Sequence, residues 1–197
     1  MDTPPAPSES ALSKTICEAA RRAMEALERF GKPHAVIGAV ALTGYGEPRG
    51  TKDVDFLVFC DSEEIKRLEP IARDLKLKRD DQWLNRNPML RGFVVRYRYR
   101  GVPIDFLMPR DRHEAGLRRR KLSIRLGGRK VSLLKPEDYI LLKAKAGRPR
   151  DFDDAIRITS HYLDEMDYRY IRSWSIRLGI FEEIQYIVAT AERGEYG

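Results

Sequence analysis

The sequence predicts an α+β fold: a mixed sheet flanked by helices, followed by a C-terminal helical region. Three observations carry this. Short apolar runs and period-two alternation dominate up to about residue 134, apolar residues at helical spacing dominate after Pro136, and the chain shows no internal repeat. A length of 197 residues suffices for a core without covalent staples.

The elements follow in order. The stretch 1–12 (MDTPPAPSESAL) is rich in Pro and Ser and is expected to be a disordered tail. Ser13 can cap a helix whose apolar face runs Ile16, Ala20, Ala23, Met24, Leu27 and Phe30, with Gly31 and Pro33 stopping it. His34 to Ile37 reads as a buried strand, and Gly38 to Thr43 as a short helix. A loop holds Gly44, Gly46, Pro48 and Gly50, and a second strand runs over Val54 to Phe59. Asp61 and Glu64 form the pattern of a capping box, opening a helix toward Leu75 that Pro70 divides. Arg79 to Leu90 is expected to be a loop. Phe93 to Arg100 alternates and Val102 to Met108 resumes after Gly101, which predicts a hairpin; a second is predicted around Gly127-Gly128. Helices are expected over Pro136–Ala146 and Asp151–Tyr162, with one or two more between Asp164 and Glu192. The expected domains are thus a sheet domain over 13–134 and a helical region over 135–197.

Composition narrows the chemistry. Two cysteines, Cys17 and Cys60, make neither a disulfide framework nor a four-thiolate zinc site, and the three histidines lack ligand spacing. No uncharged apolar run is long enough for a bilayer, and the first residues lack a signal pattern, so a cytoplasmic location without membrane contact is expected. Lysines and arginines number 37 against 30 acids, a net +7. The window Arg91–Lys130 holds 13 of those bases against three acids, more than the whole surplus. Such a field attracts the phosphates of a nucleotide or of a nucleic acid such as RNA; alternatively it is a solvated face.

Asp53 and Asp55 stand two apart at the head of a buried strand, which puts both carboxylates on one face. Like charges that close repel unless a cation lies between them, and Mg²⁺ takes carboxylate and phosphate oxygens. Asp105 sits in the otherwise apolar Val102–Met108. If its strand lies beside that of Asp53 and Asp55, three carboxylates converge in the pattern used for phosphoryl chemistry. The alternative is an ion pair between Asp105 and an arginine. Gly38, with Ala39, opens a strand-to-helix turn whose backbone N–H groups suit an anion.

These pieces together resemble the DNA polymerase beta-like nucleotidyltransferase superfamily, and within it the branch of AbiEii-like toxin nucleotidyltransferases and small relatives. The resemblance rests on Val36-Ile-Gly-Ala39, the run Arg49-Gly-Thr-Lys-Asp-Val-Asp-Phe-Leu-Val58, Asp105, and Leu133–Lys143 through Gly147–Asp151 to Asp154. It implies transfer of a nucleoside monophosphate from a nucleoside triphosphate to an acceptor hydroxyl, such as a tRNA 3′ end or a protein. Asp53, Asp55 and Asp105 would hold two Mg²⁺ ions, or Mn²⁺. Gly38 and Ala39 would hold the triphosphate, with Arg49, Thr51 and Lys143 toward the phosphates. A toxin would also have a cognate antitoxin. The chain departs from the family pattern at Ala39, where the family more often has Gly or Ser. The competing function is a non-catalytic nucleotide- or RNA-binding module of the same fold.

Asp151 is expected to be an N-cap with Asp154 in the first turn. Lys143 could instead snorkel from an apolar helix. Trp83, Tyr97 and Tyr99 are expected in the core, and the histidines in structural or surface positions.

Overall fold

The computed structural model describes residues 12–126 and 129–194, and the chain divides into two compact units, 1–133 and 134–197. The expected tail over 1–12 lies outside the described residues apart from Leu12, and the Gly127-Gly128 turn lies outside them too.

Among the described residues of the first unit, α1 (Lys14–Phe30) leads into β1 (His34–Ile37), α2 (Gly38–Gly44) and β2 (Val54–Val58). A single 3-10 turn (Glu64–Arg67) and α3 (Leu68–Asp74) follow, then β3 (Lys78–Arg79) and α4 (Asp81–Arg86). The hairpin β4 (Val94–Tyr99) and β5 (Val102–Leu107) precedes α5 (Arg112–Gly116), β6 (Lys121–Leu126) and β7 (Arg129–Leu134). The strands form one mixed sheet in the order β3-β4-β5-β2-β1-β7-β6.

Local chemistry sets most boundaries. Ser13 accepts a hydrogen bond from the Ile16 N–H and starts α1, which ends at Gly31 with φ 71°. The Asp61 carboxylate accepts from the N–H groups of Glu63 and Glu64, and Glu64 accepts from the Asp61 N–H, a reciprocal cap. Pro70 falls in the first turn of α3, where its missing N–H costs nothing.

Much of the core lies on one sheet face, while Ala35, Leu57 and Val94 are buried on the other. The rings of Phe56, Phe106 and Tyr97 follow one another at 5.8 Å across β2, β5 and β4, the phenylalanines tilted and the tyrosine edge-on, beneath α1, and the Tyr97 hydroxyl donates to Glu69 of α3. The buried face of α1 is Ile16, Ala19, Ala20, Ala23, Ala26 and Leu27; it includes Ala19 and Ala26 rather than Met24 and Phe30. Tyr97 and Tyr99 are core residues, as expected, but Trp83 is only half-buried. The expected loop over Arg79–Leu90 is structured: Asp80 caps α4 by accepting from the Trp83 N–H at 3.1 Å, and a 3-10 turn spans Pro88–Leu90.

The second unit holds α6 (Pro136–Ala146), α7 (Pro149–His161), α8 (Tyr168–Leu178) and α9 (Phe181–Glu192). Here α6 packs on α7 and α8, and α9 packs on α7 and α8. The expected start of α7 at Asp151 is corrected. Arg148 is the N-cap residue with extended backbone, and Pro149 occupies the first helical position, because a proline fits there and holds its predecessor extended. Asp151 therefore lies inside the first turn and caps nothing.

Candidate active site

The pairing of β2 with β5 decides the geometry. The two strands run parallel with Asp55 opposite Asp105, and β5 pairs antiparallel with β4, placing Asp105 opposite Arg96. Residues opposite one another share a sheet face, so Asp55, Asp105 and Arg96 form one row across three strands. Asp53, two residues before Asp55, continues on that face.

Arg96 is the residue that the sequence reasoning missed. Its Nε donates to Asp105 Oδ1 at 2.6 Å and its Nη2 to Oδ2 at 2.5 Å, a two-pronged ion pair with both side chains nearly buried. The half-buried Trp83 ring lies over the guanidinium at 3.5 Å. Burial pushes the Asp105 carboxyl above its ordinary pKa, and the fork of Arg96 opposes this. Burial works against the Arg96 charge too, but Asp105, then Asp55 and Asp53, hold its pKa above the ordinary value. The signal was available. A two-residue turn at Arg100-Gly101, with φ 49° and 85°, sets Tyr99 against Val102, and counting back along the hairpin sets Arg96 against Asp105.

The other acids are held from nearby. Thr51 Oγ1 donates to Asp53 Oδ1 at 2.7 Å, so the threonine braces the carboxylate. Gly38 has φ 64°, and a Cβ built there would lie 2.1 Å from Asp55 Oδ2. Only glycine meets both demands. Ala39 is buried, and Arg49 Nη1 donates to the Gly50 carbonyl at 3.1 Å. Among the described residues no three acidic, histidine or cysteine side chains are grouped so as to hold a metal ion. The donor set nevertheless suits Mg²⁺: Asp53 and Asp55 offer hard oxygens on one face, and a carboxylate has about four lone-pair sites, of which Arg96 uses two on Asp105.

In the second unit, Lys143 Nζ donates to Asp151 Oδ1 at 2.9 Å and to Asp154 Oδ2 at 2.6 Å, all three side chains being buried. Arg148 Nε adds a bond to Asp151 Oδ2 at 2.6 Å. Burial would raise the Asp151 pKa, but Arg148 and Lys143 outweigh it and lower it.

The basic window Arg91–Lys130 is not one surface. Strand order carries Arg96, Arg98 and Arg100 toward the β3 edge and the Arg118–Lys121 cluster to the β6 edge. Within that cluster Lys121 is tied inward, donating to the His34 carbonyl at 3.3 Å over the Phe59 ring.

A family model described as "Nucleotidyl transferase of unknown function (DUF2204)" matches residues 16–193. The chain belongs to this family. A search of curated proteins gives no match. Among solved structures, an antigenic nucleotidyltransferase-like protein from Paracoccidioides brasiliensis is similar in fold, with TM-score 0.55 and 15% identity over 90% of this chain and 94% of that one. The antibiotic-resistance factor ANT(2'')-Ia gives TM-score 0.48 and 15% identity, covering 92% of each chain. The family and the mixed α+β architecture thus agree with the fold expected from the sequence. No described helix is long and apolar enough to cross a membrane.

Proposed function

We propose that the chain moves a nucleoside monophosphate from a nucleoside triphosphate to an acceptor hydroxyl, using Asp53, Asp55 and Asp105. The observation that carries this reading is the in-register row of Asp55 and Asp105 across β2 and β5, with Asp53 on the same face and Gly38 pressed against Asp55. The bond from the acceptor oxygen to the α-phosphorus forms, the bond from that phosphorus to the bridging oxygen breaks, and pyrophosphate leaves. The acceptor proton passes to a carboxylate lone pair of the row, for which Asp105 retains capacity beside Arg96. Bound Mg²⁺ or Mn²⁺ would supply charge neutralisation to the phosphates, with Asp53 and Asp55 as its protein ligands. Thr51 fixes the Asp53 carboxylate, and Gly38 with Ala39 forms the turn beside which the triphosphate would lie. Arg49 and Lys143 belong to this reading through the family resemblance alone, and so do a toxin role and a cognate antitoxin.

The competing reading, a nucleotide- or RNA-binding module without catalysis, is favoured by one observation: both Asp105 oxygens already accept from Arg96. The test is pyrophosphate release from each of the four ribonucleoside triphosphates with mixed RNA, at several Mg²⁺ and Mn²⁺ concentrations. Release should fall by about 100-fold or more in Asp53→Asn and in Asp55→Asn. Melting temperatures should stay level or rise, since a like-charge contact is relieved. Metal-dependent nucleotide binding without any release would favour the module.

A further inference from the structure

The carboxylate face continues toward the sheet edge. Opposite Pro103 of β5 stands Arg98 of β4, and opposite Arg98 stands Lys78 of β3. Asp53, one residue before the Val54–Ile104 pair, extends the parallel register toward Pro103. Asp53, Pro103, Arg98 and Lys78 therefore follow one line across the sheet, spanning three strand spacings or roughly 14 Å. At its outer end lies an open groove of about 600 Å³ whose lining includes Lys76, Lys78, Arg98, Arg100 and Gln82.

The groove is lined by five bases, Arg79 among them, against two acids, Asp80 and Asp81, so its charge is only partly balanced from within. Arg98 donates to Asp80 at 2.6 Å and Arg100 to Glu18 at 2.7 Å. Lys76 and Lys78 are exposed and have no ion-pair partner among the described residues. Lys78 stands directly opposite Arg98, and like charges in cross-strand register are unfavourable. Lys76 holds a left-handed backbone, φ 61°, where glycine or asparagine sits more easily. Lysines on an edge strand also discourage strand pairing. That purpose requires neither a groove nor alignment with Asp53.

We infer that this groove at the β3–β4 edge binds the phosphodiester backbone of a single-stranded nucleic acid, and that its free end is the acceptor presented to Asp53 and Asp55. The acceptor role rests on the nucleotidyl-transfer reading above; the binding role does not. Phosphates on Lys76 and Lys78 offset the like-charge contact with Arg98. The line of opposed residues Lys78, Arg98 and Pro103 leads from the groove to Asp53, so a strand that leaves the groove along it directs one end at the carboxylates. The Arg118–Arg119 pair, at the opposite edge of the sheet, takes no part.

The test compares Lys76→Asn/Lys78→Gln with Arg118→Gln/Arg119→Gln, which removes the same charge elsewhere. A fluorescein-labelled oligoribonucleotide of mixed sequence, its deoxy counterpart, and vesicles of phosphatidylcholine with phosphatidylserine are titrated against each protein over a range of salt. For the groove variant the slope of log affinity against log salt should fall by about 1.4, two contacts at about 0.7 each. It should be unchanged in the control pair. Comparable loss with RNA and DNA assigns recognition to the phosphates; loss with RNA alone assigns it to RNA. Equal slopes in the two variants, no change in either, or loss confined to vesicles would each overturn the groove. Pyrophosphate release stimulated by the oligonucleotide should fall in the groove variant, while binding of the triphosphate alone is retained. A reduced slope in a protein that releases no pyrophosphate would keep the groove and remove the transfer reading.

Discussion

Arg96 and Asp105 face each other across β4 and β5, joined by two hydrogen bonds of 2.6 and 2.5 Å. The pair sits in the row that carries Asp55, so one cation already offsets part of the negative charge there. Removing one partner of such a nearly buried pair leaves the other uncompensated. Arg96→Met should therefore cost about 3–5 kcal/mol in urea unfolding. Arg96→Met combined with Asp105→Leu should recover most of that loss, because replacing both partners by apolar groups removes the stranded charge. A double variant as unstable as the sum of the single ones would show that the ion pair carries no coupling.

Gly38 and Gly31 form a natural comparison. Both have positive φ, 64° and 71°, but a Cβ at Gly31 meets nothing within 4 Å while one at Gly38 would overlap the Asp55 carboxylate. Each Gly→Ala change should cost roughly 1–2 kcal/mol from the backbone alone. Only Gly38→Ala should also abolish pyrophosphate release, by displacing Asp55. Stability curves and release assays on both variants check this, and equal activities would show that the close approach is unimportant.

Much of the fold was legible because its signals are local. Ser13, the Asp61–Glu64 pair, Gly101 and Pro136 each mark a boundary within a few residues of themselves, and the structure places boundaries there. The start of α7 was misread because Asp151 suits an N-cap, while Pro149 at the first helical position fixes the start two residues earlier. Trp83 was misread because an aromatic residue predicts burial, not the half-buried stacking on Arg96 that a short helix capped by Asp80 produces. The row of Asp55 and Asp105 depends on parallel pairing between β2 and β5, which no local pattern encodes. The division of the basic window between two edges depends on strand order in the same way.

Lys143 bridges Asp151 and Asp154 in a buried cluster between α6 and α7. Lys143→Met would remove the cation that both buried carboxylates share, leaving Asp151 its bond from Arg148, and should cost about 3 kcal/mol. Asp151→Asn should cost less, since Asp154 keeps its bond to the lysine. Thermal melts of both variants measure the difference. Initial rates across triphosphate concentrations would separately reveal a phosphate role, as a rise in KM with a fall in kcat in the folded fraction.

Cys60, two residues past the end of β2, has its thiol pushed up to about 11, first by burial and then by the nearby Glu64. In a Cys17→Ser background, iodoacetamide should therefore modify native Cys60 at pH 8 about 100-fold more slowly than an unfolded peptide. The rate should climb tenfold per pH unit until the thiol titrates. The sign for stability follows: a raised folded pKa favours the protonated fold, so this contribution is intact below pH 9.0, the ordinary value, and drains away as pH rises toward about 11. Rapid modification at pH 8 with an unaltered melting temperature would contradict it.

The five strands β1 to β5 come from one continuous stretch, residues 34–107, and lie side by side in the sheet; β6 and β7 add to the far side of β1 from later in the chain. Every residue of the carboxylate row, with its arginine, is therefore present before β6 is synthesised. During translation the acids and their counter-ion can meet while much of the chain is still in the ribosome, and the pairings involved are of modest sequence separation. The pairing of greatest sequence separation is left to β7, which joins β1 from about a hundred residues away, with Val36 opposite Leu133. A stalled or truncated chain ending after β5 would thus expose the bare edge of β1, an invitation to pair with another chain, at a stage when its charged row is already assembled.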